Sequence, residues 1–213
     1  GWKPQTSAKI RQAFDNPKVY EFMDISQVNS RTFNEAHWVN VKWLNDHALK
    51  HPRPLNNTKI YSDGEFNFGT GTPIDGVERF WRNLIAGCAS VRFHRPTAGI
   101  GLNDISKACI QAGRRVEQEV RLWDVEPRMN LLKDRQEDEA YLAARPGQKY
   151  ILYFTDGGTV KLDMKKNKGQ FALRWMNIKT GEWAGKSRIS GGKEVAIKAP
   201  GKGGWVATII KQD

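Results

Sequence analysis

The feature that most constrains the fold is the stretch from residue 58 to residue 104, which shows the same pattern twice. Each copy has a short β-favouring run, then a polar loop rich in glycine, then residues spaced as in an amphipathic helix. The β-favouring runs lie at 59–62 and 89–94, and the first helical segment covers 76–87. This alternation predicts parallel strands joined by helices, as in a β/α barrel.

The segments on either side of this stretch predict further elements of the same kind. A third β-favouring run lies at 19–24, a helical segment runs from Asn34 to about Lys50, and a long helical segment runs from 104 to about 123. Three strands, each followed by a helix, are fewer than the eight units that close such a barrel. The first part of the chain therefore predicts only a portion of one.

The pattern changes after residue 135. From Glu139 onward, apolar residues alternate with charged ones in short runs separated by turn residues, as at Val160, Leu162 and Met164. Alternation with a period of two is typical of antiparallel strands that bury one face. The chain as a whole therefore predicts an α/β domain at 1–135 and a small antiparallel β-sandwich at 136–213.

Charge and hydropathy limit the partners. The net charge of +11 is spread along the chain, since residues 1–135 carry 20 basic and 15 acidic groups and residues 136–213 carry 14 and 8. Such a spread is equally compatible with an acidic polysaccharide, so a nucleic-acid function rests on charge alone, and we predict no nucleic-acid partner. No run has the length and hydropathy of a membrane span, and no signal segment begins the chain, so we predict no membrane partner.

Four long runs carry a resemblance to a known family. They are FMDISQVNSRTFNEAHW, HPRPLNNTKIYSDGEFNFGTG, DGVERFWRNLIAGCASVRFHRPTAGIGLND and DEAYLAARPGQKYILYFTDGGTVKLDM. These runs resemble the apiosidase-like family of bacterial glycoside hydrolases, and the resemblance extends over essentially the whole chain. It implies a (β/α)8 (TIM) barrel followed by a C-terminal β-sandwich of the collagen-binding type. On that pattern the strands at 19–24, 59–62 and 89–94 are barrel strands six to eight, and strands one to five are missing.

The resemblance implies glycosidase chemistry, with an acid/base carboxyl after strand four and a nucleophile near the end of strand seven. Glycosidic cleavage needs a proton for the leaving oxygen and a carboxylate facing the anomeric carbon. The acid/base residue has no counterpart in this chain. Glu65 is the first choice for the nucleophile or stabilising carboxylate, and Asp63 is the reserve. The alternative is that both carboxylates bond backbone N–H groups in a glycine-rich turn.

Polar residues at the other strand ends are candidates for binding the substrate. Asp24, Gln27 and Asn29 follow strand six, where their oxygens and amides would bond sugar hydroxyls. His94 and Arg95 follow strand eight, and Arg95 would pair with a carboxylate of an acidic sugar or of the site. The alternatives are that the first loop bonds to itself and that Arg95 only fixes the loop that follows it.

The sequence thus predicts the C-terminal portion of a secreted or periplasmic glycoside hydrolase that acts on complex polysaccharide, with pectin as the expected class. No metal or organic cofactor is implied. The missing half of the barrel, or self-association, is expected to complete the fold. The alternative is a non-catalytic carbohydrate- or matrix-binding protein that uses the β-sandwich, where Trp183 lies near a turn, whereas Trp175 and Trp205 are expected in the core.

Overall fold

The computed structural model describes residues 3–19, 22–23, 28, 31–61, 70–94 and 102–212. The chain divides into two compact units, 1–107 and 108–213, and the division falls within a helix. The domain boundary that the sequence predicts after residue 135 lies inside the second of these units. Each unit has its own sheet or sheets and its own buried side chains.

The first unit contains a small parallel sheet. Its helices are α1 (Ala8–Asp15), α2 (Asn34–Ala48), α3 (Pro73–Ile85) and the first turn of α4 (Asp104–Glu119), and its strands are β1 (Phe22–Met23), β2 (Leu55–Ile60) and β3 (Ser90–Phe93). The sheet order is β1-β2-β3, and both pairs are parallel. The prediction of three adjacent parallel strands is therefore confirmed.

Strand β2 begins four residues before the predicted start at Lys59. The sequence obscured this start because Asn56 and Asn57 disfavour strands. Asn57 is nevertheless fully buried, and its amide donates to Asn83 Oδ1 at 2.8 Å and to Cys88 Sγ at 3.3 Å. These bonds satisfy the buried NH2 group of the amide and so offset part of the cost of asparagine in the middle strand of the sheet.

Helix α3 also begins earlier than predicted, at Pro73 rather than Gly76. Thr72 caps it, because its hydroxyl accepts from the backbone N–H of Asp75 while the Asp75 carboxylate accepts from the N–H of Thr72 at 2.6 Å. This is a capping box, and proline is favoured at the first helical position. Asp75, which the sequence placed in the loop, is therefore the third residue of the helix.

A buried polar group joins α2 to α3. His37 and Arg82 are both fully buried, and Arg82 Nε donates to His37 Nδ1 at 3.2 Å while Arg82 Nη1 pairs with Glu78 at 3.0 Å. Burial, and then the positive charges of Arg82 and Arg79, hold the pKa of His37 well below its ordinary value of 6.5. The imidazole is therefore neutral and acts as a hydrogen-bond acceptor in the folded protein.

This neutral histidine predicts acid sensitivity. The unfolded chain binds a proton at His37 below about pH 6.5 and the folded chain does not, so stability is present above that pH and is lost as the pH falls. Between pH 7.5 and 5.5 the free energy of unfolding should lose about 1.4 kcal/mol from this residue. Urea titrations should show this loss reduced in His37→Gln and retained in His51→Gln, whose side chain is exposed. An equal loss in both variants would contradict the assignment.

The second unit is a β-sandwich of nine strands among the described residues. The strands are β4 (Glu126–Pro127), β5 (Leu132–Lys133), β6 (Ala140–Arg145), β7 (Lys149–Phe154), β8 (Thr159–Asp163), β9 (Gln170–Asn177), β10 (Glu182–Ser190), β11 (Glu194–Lys198) and β12 (Trp205–Lys211). The six-stranded sheet has the order β10-β9-β12-β7-β6-β4, the three-stranded sheet has the order β11-β8-β5, and every pairing is antiparallel. Short 3-10 turns lie at Leu122–Asp124 and Met129–Leu131 here, and at Pro4–Thr6 in the first unit.

The core of the sandwich lies between its two sheets. Leu152 and Leu173 come from the six-stranded sheet and Leu162 from the three-stranded sheet, and all three belong to one buried cluster. Trp175 and Trp205 lie in the same cluster, which confirms their prediction as core residues. The sandwich begins at β4, ten residues before the predicted start at 136, because β4 pairs with β6.

The two cysteines are buried free thiols. Cys88 and Cys109 are not bonded to each other, and burial raises the pKa of each thiol to about 12. Both therefore behave as small apolar side chains. Among the described residues, the helices are too short or too polar to cross a lipid bilayer.

Candidate active site

The carboxyl ends of the three parallel strands form the edge where chemistry is expected. β1 ends at Met23, β2 at Ile60 and β3 at Phe93, and β2 lies between the other two. Parallel strands end at a common edge, and in parallel α/β folds ligands bind just beyond it. The carboxyl end of β2 therefore lies between the carboxyl ends of β1 and β3.

Most of the predicted site residues belong to these loops but lie outside the described residues. In the sequence, Asp24 follows Met23 directly, and Asp63 and Glu65 lie within five residues of Ile60. Arg95 lies two positions after Phe93. Their roles stay predictions, and the residues concerned are Asp24, Gln27, Asn29, Asp63, Glu65 and Arg95.

His94 is described, and it lies at the predicted edge. Its backbone N–H donates to the carbonyl of Ile60 at 2.7 Å, so it continues the pairing of β3 with β2. Its half-buried ring meets the ring of Tyr61 edge to face, with 5.0 Å between centroids. Tyr61, the residue after β2, was not among the predicted site residues, although an aromatic residue at a strand end is the signal that identifies it.

Arg79 links the segments that follow β1 and β2. This arginine of α3 is fully buried, and its guanidinium donates to the carbonyl of Thr32 at 3.2 Å and to the carbonyl of Thr70. It also lies over the ring of Phe33, 4.7 Å from the centroid. Thr32 and Thr70 stand at the returning ends of the loops that contain the predicted site residues, so Arg79 fixes where both loops return.

The environment of Arg79 is unusual for a charged group. Burial lowers the pKa of Arg79 to about 10, while Asp75 and Glu78 oppose that shift and Arg82 adds to it. The guanidinium therefore stays protonated at neutral pH. Hydrogen bonds from a charged donor to buried carbonyls are stronger than neutral ones, which compensates part of the desolvation.

The described part of the chain holds no group of three or more histidine, cysteine or acidic side chains placed to bind a metal ion. The edge instead combines an aromatic pair, Tyr61 and His94, with loops whose returning ends are fixed by one buried cation. Such an arrangement can position carboxylates and sugar-binding groups without large movements of the loop ends.

The sandwich matches a known domain family. Residues 127–208 match the family described as "Putative collagen-binding domain of a collagenase". The matched region begins within β4 and ends within β12. No curated protein sequence matches the chain.

Solved structures show the fold of the whole chain. A protein described as a glycoside hydrolase aligns with a TM-score of 0.74 at 14% identity, covering 96% of this chain and 56% of its own. A family 5 glycoside hydrolase from Bacteroides vulgatus aligns with a TM-score of 0.71 at 15% identity, covering 95% and 53%. A noncanonic maltogenic α-amylase from Thermotoga neapolitana aligns with a TM-score of 0.54 at 11% identity, covering 96% and 58%.

The chain shares its fold with glycoside hydrolases. It spans a little more than half the length of the structures that it matches. Identities this low establish the fold and not the reaction or the substrate. The sandwich match and these structures are consistent with a glycoside hydrolase-like protein, and the narrower resemblance to the apiosidase-like family stays a hypothesis.

The role of Arg79 is testable by stability. Arg79→Met keeps the length of the side chain but leaves the carbonyls of Thr32 and Thr70 without their charged donor, so the free energy of unfolding should fall by about 2 kcal/mol or more. Arg92→Met is the matched control, because Arg92 is exposed on β3, and it should change stability by less than about 0.5 kcal/mol. Urea titrations that give the same loss for both variants would show that Arg79 does not hold the loops.

Proposed function

We propose that the first unit is the C-terminal portion of a (β/α)8 barrel of a glycoside hydrolase, with β1, β2 and β3 as its strands six to eight. The parallel order of these strands and the fold shared with longer glycoside hydrolases support this proposal. Among the described residues, β1 and β3 each pair with one neighbour only. Open strand edges invite further pairing, and strands supplied by the rest of the barrel, or by a second copy, would close them.

The loop after β2 is the proposed position of the catalytic carboxylate. It follows the central strand of the sheet, and the carbonyl of Thr70, at its returning end, is held by Arg79. Glu65 would be the nucleophile or stabilising carboxylate, with Asp63 as the reserve, and the acid/base carboxyl would come from the part that completes the barrel. Two opposed carboxyls of this kind are what glycosidic hydrolysis needs, and no metal or organic cofactor is required.

The substrate would be a complex polysaccharide, with pectin as the first class to test. Asp24, Gln27 and Asn29 would bond sugar hydroxyls from the segment after β1, and His94 and Arg95 would do so from the segment after β3. The contact of His94 with Tyr61 supports this role, because it places a polar ring at the carboxyl edge of the sheet. A polymer of this size does not cross membranes, so the enzyme would be secreted or periplasmic.

The test is the kinetics of the full-length protein on pectin-derived oligosaccharides, followed by the release of reducing ends. Glu65→Gln keeps the shape of the side chain and removes the charge that stabilises the developing cation, so kcat should fall at least about a hundredfold with little change in binding. Asp63→Asn should match that loss only if the two acids have the opposite roles. His94→Ala should raise KM more than it lowers kcat.

Asp46→Asn is the matched control, because Asp46 is exposed on α2 and its substitution also removes one negative charge. An unchanged kcat in both the Glu65 and the Asp63 variants would remove the catalytic carboxylate from the loop after β2. Binding of the polysaccharide without any cleavage by the full-length protein would support the non-catalytic alternative instead.

A further inference from the structure

A groove opens on the outer face of the six-stranded sheet in the second unit. Leu173 and Trp175 of β9 belong to the sandwich core, so Ala172 and Arg174, which alternate with them along the strand, face outward. The groove has a volume of about 190 Å³, and besides these two residues it is lined by Glu119, Lys186, Thr208, Ile210 and Gln212.

A bulge in β10 brings Trp183 and Lys186 to this same face. Trp183 lies opposite Met176, and Lys186 lies opposite Arg174, with the register shifting between Trp183 and Gly185. Met176 and Arg174 are two residues apart on a strand and therefore share a face, and directly opposite residues share it too. In a regular strand Trp183 and Lys186, three positions apart, would face opposite sides of the sheet. The extra residue of the bulge turns Lys186 to the face of Trp183.

On one side of the groove, the polar side chains are already bonded to one another. The guanidinium of Arg174 pairs with Glu119 and lies over the ring of Trp183, 4.1 Å from its centroid. The second oxygen of Glu119 accepts from the hydroxyl of Thr208 at 2.8 Å. Arg174 and Glu119 are therefore held in place before any ligand arrives, and both keep hydrogen-bonding capacity on the groove side.

The other side of the groove carries an unused positive charge. Lys186 is exposed and makes no hydrogen bond or ion pair with the residues that the structure describes. The unit from 108 to 213 has 20 basic and 13 acidic residues, a net charge of +7. A groove within a surface of this sign raises the local concentration of anions, and a free ammonium group gives an anion a specific partner.

The floor of the groove contains an apolar pair. Ala172 and Ile210 are directly opposite each other on β9 and β12, so their side chains form a continuous apolar surface. The groove volume of about 190 Å³ is well above the roughly 10–15 Å³ that one water molecule needs, so the groove admits a larger ligand. A ring with an apolar face, polar substituents on its rim and one negative charge fits these features together.

We propose that this groove binds one uronic-acid residue of an acidic polysaccharide. The carboxylate pairs with Lys186, the C–H face of the ring lies on Ala172 and Ile210, and hydroxyl groups donate to Glu119 and bond with the Gln212 amide. An acidic peptide fits less well, because its carboxylate can pair with Lys186 but it brings no sugar-ring face to lie on Ala172 and Ile210. The inference concerns binding alone and does not depend on the proposed hydrolysis.

The experiment measures binding of the 213-residue chain to polygalacturonate oligosaccharides by titration calorimetry at physiological salt. Lys186→Gln should weaken binding about tenfold, as expected for the loss of a charge-assisted hydrogen bond. Lys198→Gln is the matched control, because Lys198 is equally exposed on a strand but belongs to the three-stranded sheet, and it should change the affinity less than about twofold. The readout is binding and not the release of reducing ends, so a failure here is distinguishable from a failure of the proposed catalysis.

Two further ligands test separately whether the negative charge and the sugar are needed for binding. Fully methyl-esterified polygalacturonate keeps the sugar and lacks the charge, and poly-glutamate keeps the charge and lacks the sugar, so each should bind at least about tenfold more weakly. Equal affinity for either ligand, equal effects of the two lysine substitutions, or no measurable binding of polygalacturonate would each overturn the proposal.

Discussion

The buried guanidinium of Arg79 is the interaction on which the edge of the parallel sheet depends. Removing such a charge from water is costly, and the carbonyls of Thr32 and Thr70 and the ring of Phe33 offset that cost. Through those carbonyls, Arg79 connects Thr32 and Thr70, which belong to two different connections, to α3. Thr72, two residues after Thr70, caps the start of that helix. The cap and the bonds of Arg79 therefore both position Thr70 relative to α3.

The elements that the sequence predicts well are those whose pattern repeats along the chain. Strand β8 alternates buried and exposed residues without interruption, and its alternation alone identifies it. The sequence does not identify the whole of strand β2, because it contains two asparagines. Asparagine is acceptable there because Asn83 and Cys88 accept hydrogen bonds from the Asn57 amide. That information lies in residues more than twenty positions away, which no local pattern contains.

The sequence likewise predicts some features of the candidate site and not others. The order of strands and loops names the segments where site residues belong, and His94 lies where that order predicts. The roles of Tyr61 and Arg79 do not follow from the sequence, because each depends on contacts with residues of other segments. Tyr61 contacts His94, and Arg79 binds the carbonyls of Thr32 and Thr70. The groove in the second unit was hidden for a related reason, since an uninterrupted period of two would have placed Trp183 and Lys186 on opposite faces, and only the bulge in β10 puts both on the face of Arg174.

The bulge in β10 also bears on how this protein stays in solution. β10 is the outermost strand of its sheet in the described structure, and an exposed flat edge can pair with the edge of another molecule and start aggregation. A bulge twists the edge, and Lys186 and Arg188 place charge along it. The bulge that shapes the groove therefore also hinders pairing of β10 with the edge of another molecule, so a change that flattens this strand would promote aggregation even where the folded core is untouched.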